Sequence, residues 1–424
     1  MAIAVLVVGA AAATASLGFR VALHEVYRLI LGDESVLRGA AALPAWACVV
    51  LPAAGAVIAV SIARFGRAGN SGVGGVMEAV TLGRGRISFK ASVTRVVACF
   101  AAVASAGAIG REGPIIQLGA GIGDAAGRRG GLTEAQARLL IAVGTAAGFA
   151  GAYGTPLAAI LFVCEVVTIS TAVRLVLPAA IAAVLAGIIA GFKPLYAQRI
   201  FEMHHVGELA AFAALGVGGG LVGVGFMWLL AGAERAFHKI PGPAPVRAAV
   251  GGAIAGAIMI GAPEVAGNGY EAIRDLLDVG AAAGTLALLM LARAAATSSM
   301  VASGVPGGVF TPTLFLGASL GRLLALALAG FGLHVDGGTY AVAGMAAATA
   351  ATTHAPLMAS VMLLEITADA ALIVPILLAA TIATITARSI HRESLYTEEL
   401  RKRRVIWPSR APVPVVDVEG GGGI

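Results

Sequence analysis

Apolar side chains run in long blocks along this chain, at 1–15, 44–62, 139–163, 175–190, 210–230, 281–300, 341–364 and 370–387. A helix rises about 1.5 Å per residue, so a bilayer core of about 30 Å takes roughly 20 apolar residues. Several blocks reach that length; others are short or interrupted by glycine and proline. The pattern predicts an all-α polytopic membrane protein, embedded in a lipid bilayer, with some of its helices broken. Block 1–15 lacks the basic start of a secretory signal and reads as the beginning of a first helix.

The blocks repeat. With a shift of 198 residues, RVVACFAAVASAGAIGREGPIIQLGAGIG from Arg95 aligns with RAAATSSMVASGVPGGVFTPTLFLGASLG from Arg293. The alignment matches Arg95/Arg293, Ser105/Ser303, Gly110/Gly308, Pro114/Pro312, Leu118/Leu316, Gly119/Gly317 and Gly123/Gly321. Downstream, at a shift of 200, GTPLAAILFVCEV meets HAPLMASVMLLEI, pairing Pro156/Pro356, Leu157/Leu357 and Glu165/Glu365. Alanine matches mean little in such helices, but Gly, Pro, Arg and Glu in the same order mark a duplication. The expected organisation is a first membrane repeat over 1–200, a second over 201–390, and a short cytoplasmic segment over 391–424. An odd number of crossings per half would give two inverted-topology repeats.

Each repeat reads apolar helix, glycine-rich break, proline, apolar helix. Proline is tolerated in a first helical turn, so Pro114 and Pro312 mark new helix starts. Irregular backbone at membrane depth is tolerated only where it is buried or lines a cavity. The free N–H groups of a new helix start, backed by roughly half a positive charge, favour anions. Inverted halves would aim two such starts, near 110–114 and 308–312, at one point in the middle of the membrane. A plainer alternative is that the glycines only allow close helix packing, as the Gly119/Gly123 and Gly317/Gly321 spacings suggest. Glu112, in GREGP, is then a tethered anion at the mouth of an anion site. Ionised, it can occupy the site; protonated, it must leave. An ion pair with neighbouring Arg111 is the competing account, but adjacent helical residues do not face each other.

Composition agrees with the membrane reading: 58% of the 424 residues are hydrophobic, 12% are charged, and the mean hydropathy is +0.91. The net charge is +6, and Arg401, Lys402, Arg403 and Arg404 follow the last block, so the positive-inside rule puts the C-terminus in the cytoplasm. No nucleic-acid partner is expected from this basic run, the usual flank of a last span. Cys48, Cys99 and Cys164 sit in apolar stretches and read as packing residues. No nucleophile–base constellation appears outside the apolar blocks, so the chain is not expected to be an enzyme, and no metal or cofactor is expected. Three further features read as structural. GVGGGLVG at 216–223 reads as helix packing. His204 and His205 read as part of a loop. AGNGYEAIRDLL at 266–277 reads as a glycine-rich entry into a short helix.

GREGP at 110–114, GGVFTP at 307–312, GTPLAAILFVCE at 154–165 and GNSGVGGV at 69–76 resemble motifs of the CLC family of chloride channels and chloride/proton antiporters. The resemblance spans about 70–396. It implies a homodimer in the cell membrane, plasma or inner, with a separate pore in each subunit between inverted halves. It also implies Glu112 as the gate, with Ser71, backbone N–H groups at Val309 and Phe310, and the Tyr396 hydroxyl as chloride ligands. Many relatives carry a regulatory nucleotide-binding CBS pair, for which the last segment is too short, so none is expected. Two departures matter. Gly74 stands where the family's first loop usually has proline, and Val166 stands where antiporters carry a second glutamate after Glu165. The expected function is chloride transport, channel-like or weakly proton-coupled. Alternatives are a chloride/proton or fluoride/proton antiporter using another acid such as Glu165, and a cation-coupled transporter, which the N–H-rich breaks disfavour.

Overall fold

The computed structural model describes residues 1–66, 72–83, 85–168, 173–191, 194–196 and 201–407, and their regular structure is helical. The first half contains α1 (Ala2–Leu31), α2 (Val36–Ala42), α3 (Ala45–Phe65), α4 (Gly72–Met77), α5 (Phe89–Ala104) and α6 (Glu112–Arg129). It closes with α7 (Glu134–Tyr153), α8 (Pro156–Phe162) and α9 (Val173–Ala190). The second half contains α10 (Glu208–His238), α11 (Ala244–Gly261), α12 (Tyr270–Asp278), α13 (Ala283–Ala302) and α14 (Phe310–Gly330). It continues through α15 (Gly337–Thr353), α16 (Pro356–Thr367) and α17 (Ile373–Ile390), and α18 (Leu395–Lys402) follows. Apart from α2, the helices of the first half have counterparts in α10 to α17, in the same order. Among the described residues, eight helical stretches are long and apolar enough to cross a membrane.

Two apolar blocks that read as single units are each divided. Block 139–163 becomes α7 and α8, with Gly154 at φ 72°; block 341–364 becomes α15 and α16, with His354 at φ 57°. Pro156 and Pro356 are the cause, since each opens a new helix and cannot continue the old one. Conversely, α6 was not marked by hydropathy, because its charges and glycines dilute the signal although most of the helix is buried.

The duplication is exact at the level of packing. In the first half, α6 lies on α7 so closely that a methyl group at Gly119 would strike the Gly144 carbonyl oxygen, and one at Gly123 the Leu140 carbonyl oxygen. In the second half, α14 repeats this on α15 at Gly317 against Gly344 and at Gly321 against Tyr340. The small-residue spacing therefore does allow backbone-to-backbone approach. GVGGGLVG lies inside α10, where Gly219 and Gly223 admit Ala347 and Ala351 of α15.

The shared glutamates tie the halves together. Glu365 of α16 accepts from the Leu157 and Ala158 amides at the start of α8, each at 2.8 Å. Glu165, just beyond α8, accepts from Leu357 (3.4 Å) and Met358 (2.7 Å) at the start of α16. Each acid thus satisfies the free N–H groups of the other half's proline-led helix, where lipid offers no substitute. A buried amide left unpaired costs about 1–3 kcal/mol. Glu365→Ala is therefore expected to lower the thermal unfolding midpoint in detergent by several degrees while anion selectivity is kept. Unchanged melting would contradict the capping role.

Candidate functional site

The two breaks touch. Between α5 and α6 the chain runs through Gly110, and between α13 and α14 through Gly308. The Gly110 N–H donates to the Gly308 carbonyl at 2.8 Å, and the Gly308 N–H donates back at 2.7 Å. This antiparallel bridge is what segments related by an inverted repeat would form. Only small residues fit, since a methyl at Gly110 would clash with Glu112 Oε2 and one at Gly307 with the Ile109 side chain. The bridge sets the starts of α6 and α14 side by side.

Glu112, the first residue of α6, is 1% exposed. Its Oε1 accepts from the Thr311 hydroxyl at 2.6 Å and from the Tyr270 hydroxyl at 3.0 Å. Its Oε2 has no hydrogen-bond partner among the described residues. No ion pair joins Glu112 to Arg111 there; the Arg111 guanidinium lies 5.2 Å from the centre of the Tyr270 ring instead.

Tyr270 is held from behind. Fully buried Arg293, the repeat partner of Arg95, donates to the Val265 carbonyl at 2.8 Å and to the Asn268 carbonyl. It packs under Gly269, whose φ of 96° permits the turn into α12. AGNGY is therefore both a helix entry and the mount of a Glu112 partner.

Aromatic rings continue from this point. Tyr270 meets Tyr153 edge-on at 6.3 Å, and Tyr153 packs on Phe310 at 5.4 Å. Phe310 meets Phe149 at 5.9 Å, Phe149 stacks on Phe162 at 4.8 Å, and Phe162 meets Tyr396 at 6.2 Å. One cavity of about 750 Å³ is lined by Glu112, Val309, Phe310 and Tyr396, and further along by Arg95, Glu399 and Arg403. Ser71 lies outside the described residues, although its neighbour Gly72 lines the same cavity. Four of the five residues singled out in the sequence are thus brought to one place. The sequence reading missed Tyr270 and Thr311. A signal for the first existed, because the shift of 198 that aligns the halves also aligns GNSG at 69–72 with GNGY at 267–270.

Two homologous halves of broken helices meeting over a buried carboxylate define a polytopic membrane protein of the inverted-repeat transport class. The chain belongs to the voltage-gated chloride channel family, the CLC family, whose model matches residues 54–388. It is similar to a ClcB-like chloride channel protein of Ralstonia nicotianae, with 36% identity over 415 residues, covering 94% of this chain and 96% of the relative. It is also similar to the voltage-gated ClC-type chloride channel ClcB of Escherichia coli O81, with 33% identity over 413 residues, covering 93% and 97%. Among solved structures, a slow cyanobacterial Cl⁻/H⁺ antiporter superposes with a TM-score of 0.83 at 24% identity, covering 95% of this chain and 97% of that one. A CLC-type fluoride/proton antiporter gives a TM-score of 0.76 at 22% identity, covering 93% and 96%. At those identities the two structures speak for the fold alone.

Proposed function

We propose that this chain carries chloride across the cell membrane, as a homodimer with one route per subunit, and that Glu112 gates the route. One observation carries the reading: the Glu112 carboxylate is held where the starts of α6 and α14 converge, on the wall of a cavity. Helix starts offer free N–H groups and the positive end of the dipole. Val309 and Phe310 would present such amides to the ion, with the Tyr396 hydroxyl, and that of Ser71, completing its shell. Partial charges suit a halide in transit, because a full positive charge would bind it too tightly to release. The ionised Glu112 carboxylate competes for the same donors, so protonation opens the way.

Channel-like or weakly proton-coupled conduction is the form we favour. Val166 gives a proton no foothold, and Glu165 is engaged by the amides of α16. The alternative is chloride/proton or fluoride/proton exchange through a different acid. In reconstituted bilayers with opposed chloride and proton gradients, the reversal potential is expected to follow the chloride Nernst potential. A displacement that tracks the proton gradient would select exchange instead.

A further inference from the structure

The cavity holds a second carboxylate that the gating of Glu112 does not use. Glu399 lies on α18, one helical turn beyond Tyr396, and α18 packs against α4. A methyl group at Gly72 would sit 3.1 Å from Glu399 Oε2, and one at Gly74 would sit 3.2 Å from the carboxyl carbon. The backbone at Gly74 thus lies directly against this carboxylate. Proline, which the family usually carries at that position, would push its ring into that contact. The unusual glycine and the docked acid therefore fit each other.

The repeat relates the two carboxylates. At the shift of 198, Gly72 corresponds to Tyr270. Glu112 is held by Tyr270 at the start of α12, while Glu399 rests on Gly72 and Gly74 in the matching α4. One tethered anion thus stands against each of two repeat-related segments, and both line one cavity.

Its surroundings carry both signs: Arg64 of α3, Arg95 of α5, Arg247 of α11, Lys402 and Arg403 line the cavity beside Glu112, Glu234 and Glu398. Lys402 is drawn to Glu234 of α10 and to Glu398, and Arg403 reaches Glu78, next to α4, at 2.8 Å. His238 of α10 lines the same cavity, with its Nδ1 on the Glu234 carbonyl. The cations outnumber the acids along this cavity and draw anions, and Glu399 is an acid already seated among them.

We propose that Glu399 is a second tethered carboxylate, which competes with the transported anion at the C-terminal mouth of the route to Glu112. This rests on the chloride reading above. Deprotonated and docked on Gly74, it screens Arg95 and obstructs entry; protonated or removed, it leaves that mouth to chloride.

The test uses the full chain in liposomes, with chloride efflux recorded at pH 7.5 and at pH 4.5. Glu112→Gln is expected to retain a residual acid activation of about three- to tenfold, the scale of one charged hydrogen bond discounted for partial exposure. Adding Glu399→Gln is expected to remove that residue by raising flux at pH 7.5. Gly74→Ala, which crowds the carboxylate without altering any charge, is expected to act in the same direction. His238→Ala is expected to leave the residue in place. A flat pH response in Glu112→Gln alone would overturn the proposal, and so would a double variant indistinguishable from Glu112→Gln, while either result leaves the chloride reading standing. Absence of chloride efflux from every variant would overturn both.

Discussion

Glu112→Gln is expected to conduct chloride at pH 7.5 faster than the unaltered chain does at that pH, and slower than the unaltered chain does at pH 4.5 only by the residual acid activation left to Glu399. In the unaltered chain the carboxylate accepts from Thr311 and Tyr270 beside two converging helix starts. A hydrogen bond to a charged group contributes about 1.5–3 kcal/mol, and each 1.4 kcal/mol is a factor of about ten in occupancy. Removing the negative charge therefore raises flux at neutral pH by about tenfold or more and removes the larger part of the acid activation. Tyr270→Phe and Thr311→Val each remove one tether while keeping the acid. Each is expected to raise flux at neutral pH by a smaller factor than Glu112→Gln and to leave the response to acid in place. Efflux that ignores both pH and the Glu112 change would remove Glu112 from the gate.

Gly321→Ala is expected to abolish the folded protein, although it adds a single methyl group. That methyl would be driven into the Tyr340 carbonyl oxygen, where α14 and α15 meet backbone to backbone. Ordinary overpacking costs about 1–3 kcal/mol, and a rigid backbone neighbour leaves little room to relax. The cost also falls on the helix that presents Phe310 and Thr311 to the site, so any surviving protein should have lost flux. Gly123→Ala is the first-half equivalent, against the Leu140 carbonyl. Gly225→Ala, with open space around it, is the control and should be silent. Size-exclusion profiles of detergent extracts read the result directly, and a monodisperse Gly321→Ala protein at full yield would refute the packing argument.

The repeat explains why so much is legible in the sequence. Arg, Gly, Pro and Glu matched across the halves because each fills the same physical position twice: Gly123 and Gly321 admit a neighbouring backbone, and Glu165 and Glu365 cap each other's helices. Those constraints are written in residue type. The Glu112–Thr311 contact is not, because it arises only when two segments 199 positions apart are folded together. Tyr270 was hidden differently. Its segment aligns with GNSG, yet a tyrosine in a glycine-rich turn reads as a helix entry until the partner carboxylate is seen beside it. Hydropathy also merged α7 with α8 and α15 with α16, since it records apolar character and is blind to the prolines that restart the helices. The role drawn for Ser71 rests on the motif alone.

Anomalous scattering from bromide is the most direct measurement of the central claim, that two converging helix starts form an anion site for which Glu112 competes. Crystals of Glu112→Gln grown with bromide are expected to show a peak within hydrogen-bonding reach of the Val309 and Phe310 amides, between residues 110–112 and 308–310, and crystals of the unaltered chain a weaker peak there. Well-ordered crystals with no bromide between those segments in either protein would contradict that claim.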